Sequence, residues 1–250
     1  MKKNDLSKSF IKTMNKNHKL PYTLALDTST PWLTLALGNC TEIIYQHCSQ
    51  VIEDHSRVLI QSLEEMQKKN LFLTFPPEQI VIGRGPGSFT GIKIANITGR
   101  TLAYSFKCSL YGFSTLEMLA YQGSKQVFSD ENITIIPVIL HKKNQVFWSE
   151  FQPSFQKKPE YKIKIQIGSA ADIINRYSLN HIFIVTPWQE LYNLFQNHHF
   201  QCLPLHWSQP NAISLIELID IRQKFLQSDT VGFSGENIQP LYGSRVFEYE

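Results

Sequence analysis

Short apolar runs at Thr23–Leu26 and Leu33–Leu37 flank the polar stretch Asp27-Thr28-Ser29-Thr30-Pro31, which predicts two strands joined by a turn whose side chains hydrogen-bond their own backbone. Ile43–Val51 supplies a third strand. From Asp54 to Lys69 the period lengthens to that of a helix: His55, Val58, Leu59, Ser62, Leu63 and Met66 fall on one face, with Arg57, Glu64, Glu65, Lys68 and Lys69 on the other. That charged face suits solvent or a partner surface. Gln79–Gly83 then reads as a buried strand, Phe89–Phe106 as a helix and Leu110–Phe113 as another strand, after which Ser114-Thr115-Leu116-Glu117 is a capping box. The pattern shifts near residue 122. Beyond it, Ile133–Leu140 and Gln145–Phe151 predict a hairpin, Lys162–Ile167 and Ile182–Thr186 further strands, and Ala212–Gln227 a helix. The chain thus reads as two α/β units.

Between strand and helix lies a glycine-rich turn, with Gly83, Gly85 and Gly87 at every second position around Arg84 and Pro86. Such a turn lets backbone approach another group closely, and the helix start after it suits an anion. Known glycine loops do not fit it. No Gly-Lys-Ser/Thr follows at Walker spacing, Thr90 stands where a dinucleotide fingerprint needs glycine, and Phe89 stands where a hydrolase elbow needs serine. The helix itself carries Gly91, Ala95, Gly99 and Ala103 at steps of four, a flat stripe that implies a very close neighbour, either the sheet of the same chain or a helix of a partner.

Charge and cysteine content narrow the classes. The net charge of +3 is local, because residues 1–20 hold six lysines against Asp5, leaving the rest slightly acidic and unlike a basic nucleic-acid platform. Those residues lack a signal-peptide core and read as a disordered lysine-rich extension, with Met14 as an alternative start. No apolar run approaches the roughly eighteen residues of a membrane span. Cys40, Cys48, Cys108 and Cys202 form no CxxC pair, which favours a reducing, cytoplasmic setting. His198 and His199 are adjacent and point apart, a poor metal pair.

Taken together, LALDTST, HSRVLIQSLEEM, GRGPGSFTGIKIANITGRTLAY and YGFSTLEMLA resemble the TsaB (YeaZ) family in order and spacing. The likeness is strong over residues 22–122, faint over 132–151, and returns at Gln239-Pro240-Leu241-Tyr242. It implies the actin, sugar-kinase and Hsp70-like (ASKHA) fold, with two RNase-H-like domains at 21–122 and 123–250, the second reduced and divergent. It also implies a non-catalytic subunit of the bacterial machinery that makes tRNA N6-threonylcarbamoyladenosine. The catalytic paralogue TsaD carries Asn-His-Leu-Glu-Gly-His; laid on Ser114–Leu119, it puts Thr115 and Leu119 where two metal-binding histidines would stand. Neither can ligate a metal.

By the same resemblance the partners are TsaD, in a heterodimer, and the ATPase TsaE, with a homodimer when TsaD is absent and tRNA met only through the complex. No cofactor, metal or membrane is called for. The helices holding His55, Val58, Leu59, Ser62, Gly91, Ile94, Ala95, Ile97, Thr98, Arg100 and Thr101 are the expected interface. Asp27, Thr28, Ser29, Gly85 and Gly87 keep the residue types of a nucleotide site, as a vestigial contact or as an ordinary turn. An independent ATP-dependent phospho- or carbamoyl-transferase that uses Asp27 is the rival reading, and a metallopeptidase a further one that the missing ligands oppose. The chain departs from the family in its extension and in HKKNQVFW.

Overall fold

A computed structural model describes residues 20–51, 54–127, 132–142, 144–154, 163–226 and 240. The lysine-rich extension as far as Lys19, Glu53, Lys162 and all of Gln239–Tyr242 except Pro240 lie outside the described residues. The first unit contains β1 (Thr23–Asp27), β2 (Trp32–Gly38), β3 (Ile43–Gln50), α1 (His55–Lys68), the single turn α2 (Leu71–Thr74), β4 (Gln79–Gly83), α3 (Phe89–Phe106), β5 (Ser109–Phe113) and α4 (Thr115–Ser124). The second contains β6 (Thr134–Lys142), β7 (Gln145–Trp148), β8 (Gln166–Gly168), α5 (Ala170–Arg176), β9 (Ile182–Val185), α6 (Gln189–Asn197), β10 (Gln201–Cys202), the short α7 (Leu205–Ser208) and α8 (Ala212–Leu226).

In the first sheet the order is β3-β2-β1-β4-β5, with β1, β2 and β3 antiparallel and β4 and β5 parallel to β1. The second runs β10-β9-β6-β7-β8. Read from its other edge it repeats the first: a three-strand antiparallel meander, β6 to β8, with β9 and β10 added parallel to β6. This is the RNase-H-like topology twice over, the two-domain ASKHA fold. The second copy is reduced in strand length rather than strand number, β8 having 3 residues and β10 only 2.

Both faces of the first sheet are covered, which is why β1, β2 and β4 are buried at every position. Period-two alternation then sorts the side chains. Leu24, Leu26, Leu33, Leu35, Ile80 and Ile82 form one core with Leu59 and Met66 of α1 and Ala95 of α3. Ala25, Ala36 and Val81, small residues on the opposite face, join Leu215, Ile216 and Ile219 of α8. That second cluster also holds Leu116 and Leu119 of α4 together with Ile135, Ile139 and Phe147 of the second sheet. Two helices therefore cross over. α4 follows the first sheet yet packs on β6 and β9, while α8 follows the second and packs on β1, β2 and β4.

The elements differ from expectation in places. Asp54 and Lys69 are caps of α1 rather than helical residues, Asp54 Oδ1 accepting from Arg57 N at 3.0 Å. β7 stops at Trp148, and Phe151 keeps only an isolated bridge to Ile135. Among helices of more than one turn, α5 and α6 were not evident in the sequence: α5 is only 7 residues, and α6 begins at Trp188 without a side-chain cap.

Candidate functional site

At the carboxyl end of β1 the chain turns through Asp27–Pro31, and the glycine loop after β4 and the first turn of α4 close on it. Asp27 is 1% exposed. Its Oδ1 accepts from Ser29 N at 2.6 Å, which closes the turn, and its Oδ2 accepts from Thr115 Oγ1 at 2.7 Å. Ser29 Oγ and Thr115 Oγ1 lie 2.7 Å apart. Because Thr115 gives its proton to the carboxyl, Ser29 donates to Thr115, and the three side chains form one directed chain. Burial pushes the Asp27 carboxyl above its ordinary value, with the Ser29 N–H and the Thr115 hydroxyl opposing that shift.

Glycine is required here for space. A Cβ on Gly83 would overlap the Asp27 carboxyl, one on Gly87 the carbonyl of Ser29, and one on Gly91 the carbonyl of Thr28. Gly85, at φ 88, takes a left-handed conformation and its carbonyl accepts from Thr115 N at 2.7 Å and Ser114 Oγ at 3.1 Å. Thr28 Oγ1 donates to Gly91 O at 2.6 Å, and Ser88 N to Ser29 O at 2.6 Å. The sequence-predicted group Asp27, Thr28, Ser29, Gly85 and Gly87 is thus brought together, but its bonds run to Thr115, Ser114, Ser88 and Gly91 of the same chain as well as from Ser29 to Asp27. The start of α3 is likewise occupied by its own cap, Ser88 Oγ accepting from Gly91 N at 3.3 Å.

Thr115 and Leu119 are both fully buried, the first bound to Asp27 and the second in the shared core. A hydroxyl already committed to a carboxyl and an isobutyl group do not fit a cation that needs two imidazoles. Among the described residues, no three His, Cys, Asp or Glu side chains gather as a metal site. Glu117 completes the capping box, Oε2 accepting from Ser114 N at 2.6 Å, and pairs with Arg222 of α8 at 3.2 Å.

The second candidate region is the outer face of α1 and α3. The flat stripe is turned inward: a Cβ on Gly99 would come within 2.5 Å of Ile82 Cγ2. Gly91, Ala95, Leu59 and Ser62 are buried in the chain itself, and His55, Val58, Ile94 and Thr98 are half-buried. His55 is tied to Thr30 O at 2.9 Å. Ile97, Arg100 and Thr101 are exposed, beside Phe89 at 55%, Tyr104 at 86% and Ile60 of α1 at 55%. Of the expected interface residues, then, only Ile97, Arg100 and Thr101 are fully presented outward. Phe89 and Tyr104, which lie on α3 opposite the glycine stripe, and Ile60 on α1 are exposed as well.

A family model described as TsaD, tRNA N6-adenosine threonylcarbamoyltransferase, matches residues 47–209. A protein of Haemophilus influenzae named tRNA threonylcarbamoyladenosine biosynthesis protein TsaB is 25% identical over 232 residues, covering 88% of this chain and 92% of that one. The chain belongs to the TsaB/YeaZ branch of the TsaD family. The TsaB protein of Bacillus subtilis is 30% identical over 100 residues, spanning 40% of this chain and 44% of its own length. In structure the family likeness extends further: YeaZ from Pseudomonas aeruginosa superposes with a TM-score of 0.65 at 19% identity over 89% of this chain and all of that one. The fold is therefore that of YeaZ.

Proposed function

We propose that this chain is a non-catalytic, cytoplasmic subunit of the machinery that makes tRNA threonylcarbamoyladenosine, and that it activates a TsaD transferase by docking through the exposed face of α1 and α3. The carrying observation is the set of exposed apolar residues Phe89, Ile97 and Tyr104 on α3, with Ile60 exposed on the neighbouring α1, left over after the glycine stripe has been used on the chain's own sheet. A helical face of that kind suits helices of a partner, and in the absence of TsaD a second copy. TsaE and tRNA are then met through the complex. The closed Asp27–Thr115–Ser29 chain supports the non-catalytic half of the reading, since a phosphotransferase needs that carboxyl directed at metal and phosphate.

Co-purification with the cognate TsaD, followed by tRNA modification with and without this chain, tests the proposal. The chain alone should be inert, and modification by TsaD should depend on it. Ile97→Glu should abolish association while the free protein stays folded. Modification of tRNA by this chain unaided, or full complex formation by Ile97→Glu, would overturn it.

A further inference from the structure

The carboxyl ends of β1 and β9 approach each other at a pair of tryptophans. Trp32 begins β2, next to the end of β1, and Trp188 follows the end of β9. Their rings meet edge to face, centroids 5.6 Å apart and planes at 87°. Trp32 is 8% exposed, and Trp188 packs on the shared core and on the second unit's own core. In a twisted parallel sheet the crevice beyond the carboxyl ends is where a ligand enters. Here two indoles span it.

We propose that Trp32 and Trp188 form a clasp that locks the two units into one closed arrangement, so that this chain does not open and shut around a nucleotide. The clasp adds to the core that the crossed helices already share. In that core α8 is bound along the first sheet, Ala212 N donating to Thr34 Oγ1 at 2.8 Å at one end and Gln223 Nε2 to Gln79 Oε1 at 2.8 Å at the other. Away from that core, Trp188 ties the β9–α6 junction directly to the start of β2. The lock holds the outer face of α1 and α3 at a constant orientation to the second unit. It is independent of whether that face meets TsaD.

Hydrogen exchange on the full chain tests the clasp. In the wild type, residues 28–34 and 184–190 should be protected together, and millimolar Mg-ATP should change neither that protection nor tryptophan emission. Trp188→Ala should lower protection in both segments by about tenfold, the equilibrium equivalent of one edge-to-face pair, while β2–β3 amides far from the crevice stay unchanged. Trp188→Phe, which keeps an aromatic edge, should restore most of it. If Trp188→Ala does not fold, Trp188→Leu compared with Trp188→Phe serves the same purpose, only the aromatic variant keeping both segments protected. Unchanged exchange in either segment on loss of the ring, or a nucleotide-induced change in wild-type emission, would overturn the proposal.

Discussion

A buried carboxyl and the glycine that makes room for it are the sharpest residue-scale feature. Gly83→Ala should destabilise the fold by about 2–3 kcal/mol through overpacking against Asp27, read as a lower denaturant midpoint at constant slope. Asp27 also predicts a pH dependence. Its folded value is raised above the ordinary 3.8, so the folded state holds the proton more tightly than the unfolded one. Its contribution is complete below 3.8 and declines as pH rises through the folded value. In Asp27→Asn that component should vanish, so the stability of the variant relative to wild type should rise over that window. A flat difference would show that Asp27 does not titrate differently on folding. Thr186, 1% exposed with a hydroxyl that meets no partner among the described residues, gives the opposite sign: Thr186→Val should stabilise by about 1 kcal/mol in thermal unfolding.

At the scale of elements, α3 has one face for its own sheet and one for the outside, and the two are separated by single positions. Ala95→Glu places an unpaired charge in the core and should cost several kcal/mol, unfolding the isolated protein. Ile97→Glu, at a site 65% exposed, should leave its melting temperature within a degree or two. Circular dichroism on the two variants distinguishes them. The helix and its stripe were legible in the sequence because glycine and alanine recur every four residues. Its direction was not, since a flat stripe fits a sheet and a partner helix equally well. The capping box at Ser114 was legible too, being a local bond between residues three apart. The bond from Thr115 to Asp27 was hidden, because it joins residues 88 apart.

For the whole molecule, the crossed helices make two topological units into one core. Removing residues from Ala212 onward would expose Ala25, Ala36 and Val81, so the shortened chain should lose the first sheet as well as α8. The intact protein should unfold in a single transition, with tryptophan fluorescence and far-ultraviolet circular dichroism coinciding. Two separate transitions would mean that each sheet is stable without the other's helix.

Local physics explains what the amino-acid order determined by itself: the strands of the first unit, the Asp27 turn, the capping box of α4, the close approach of the glycine loop, and a fold with two α/β units. Each depends on residues near one another along the chain. Tertiary structure alone decided that the stripe of α3 faces inward, that Thr115 satisfies Asp27, that α4 and α8 exchange sheets, and that Trp32 meets Trp188. These depend on which distant surfaces bury each other, and burial is a property of the assembled chain.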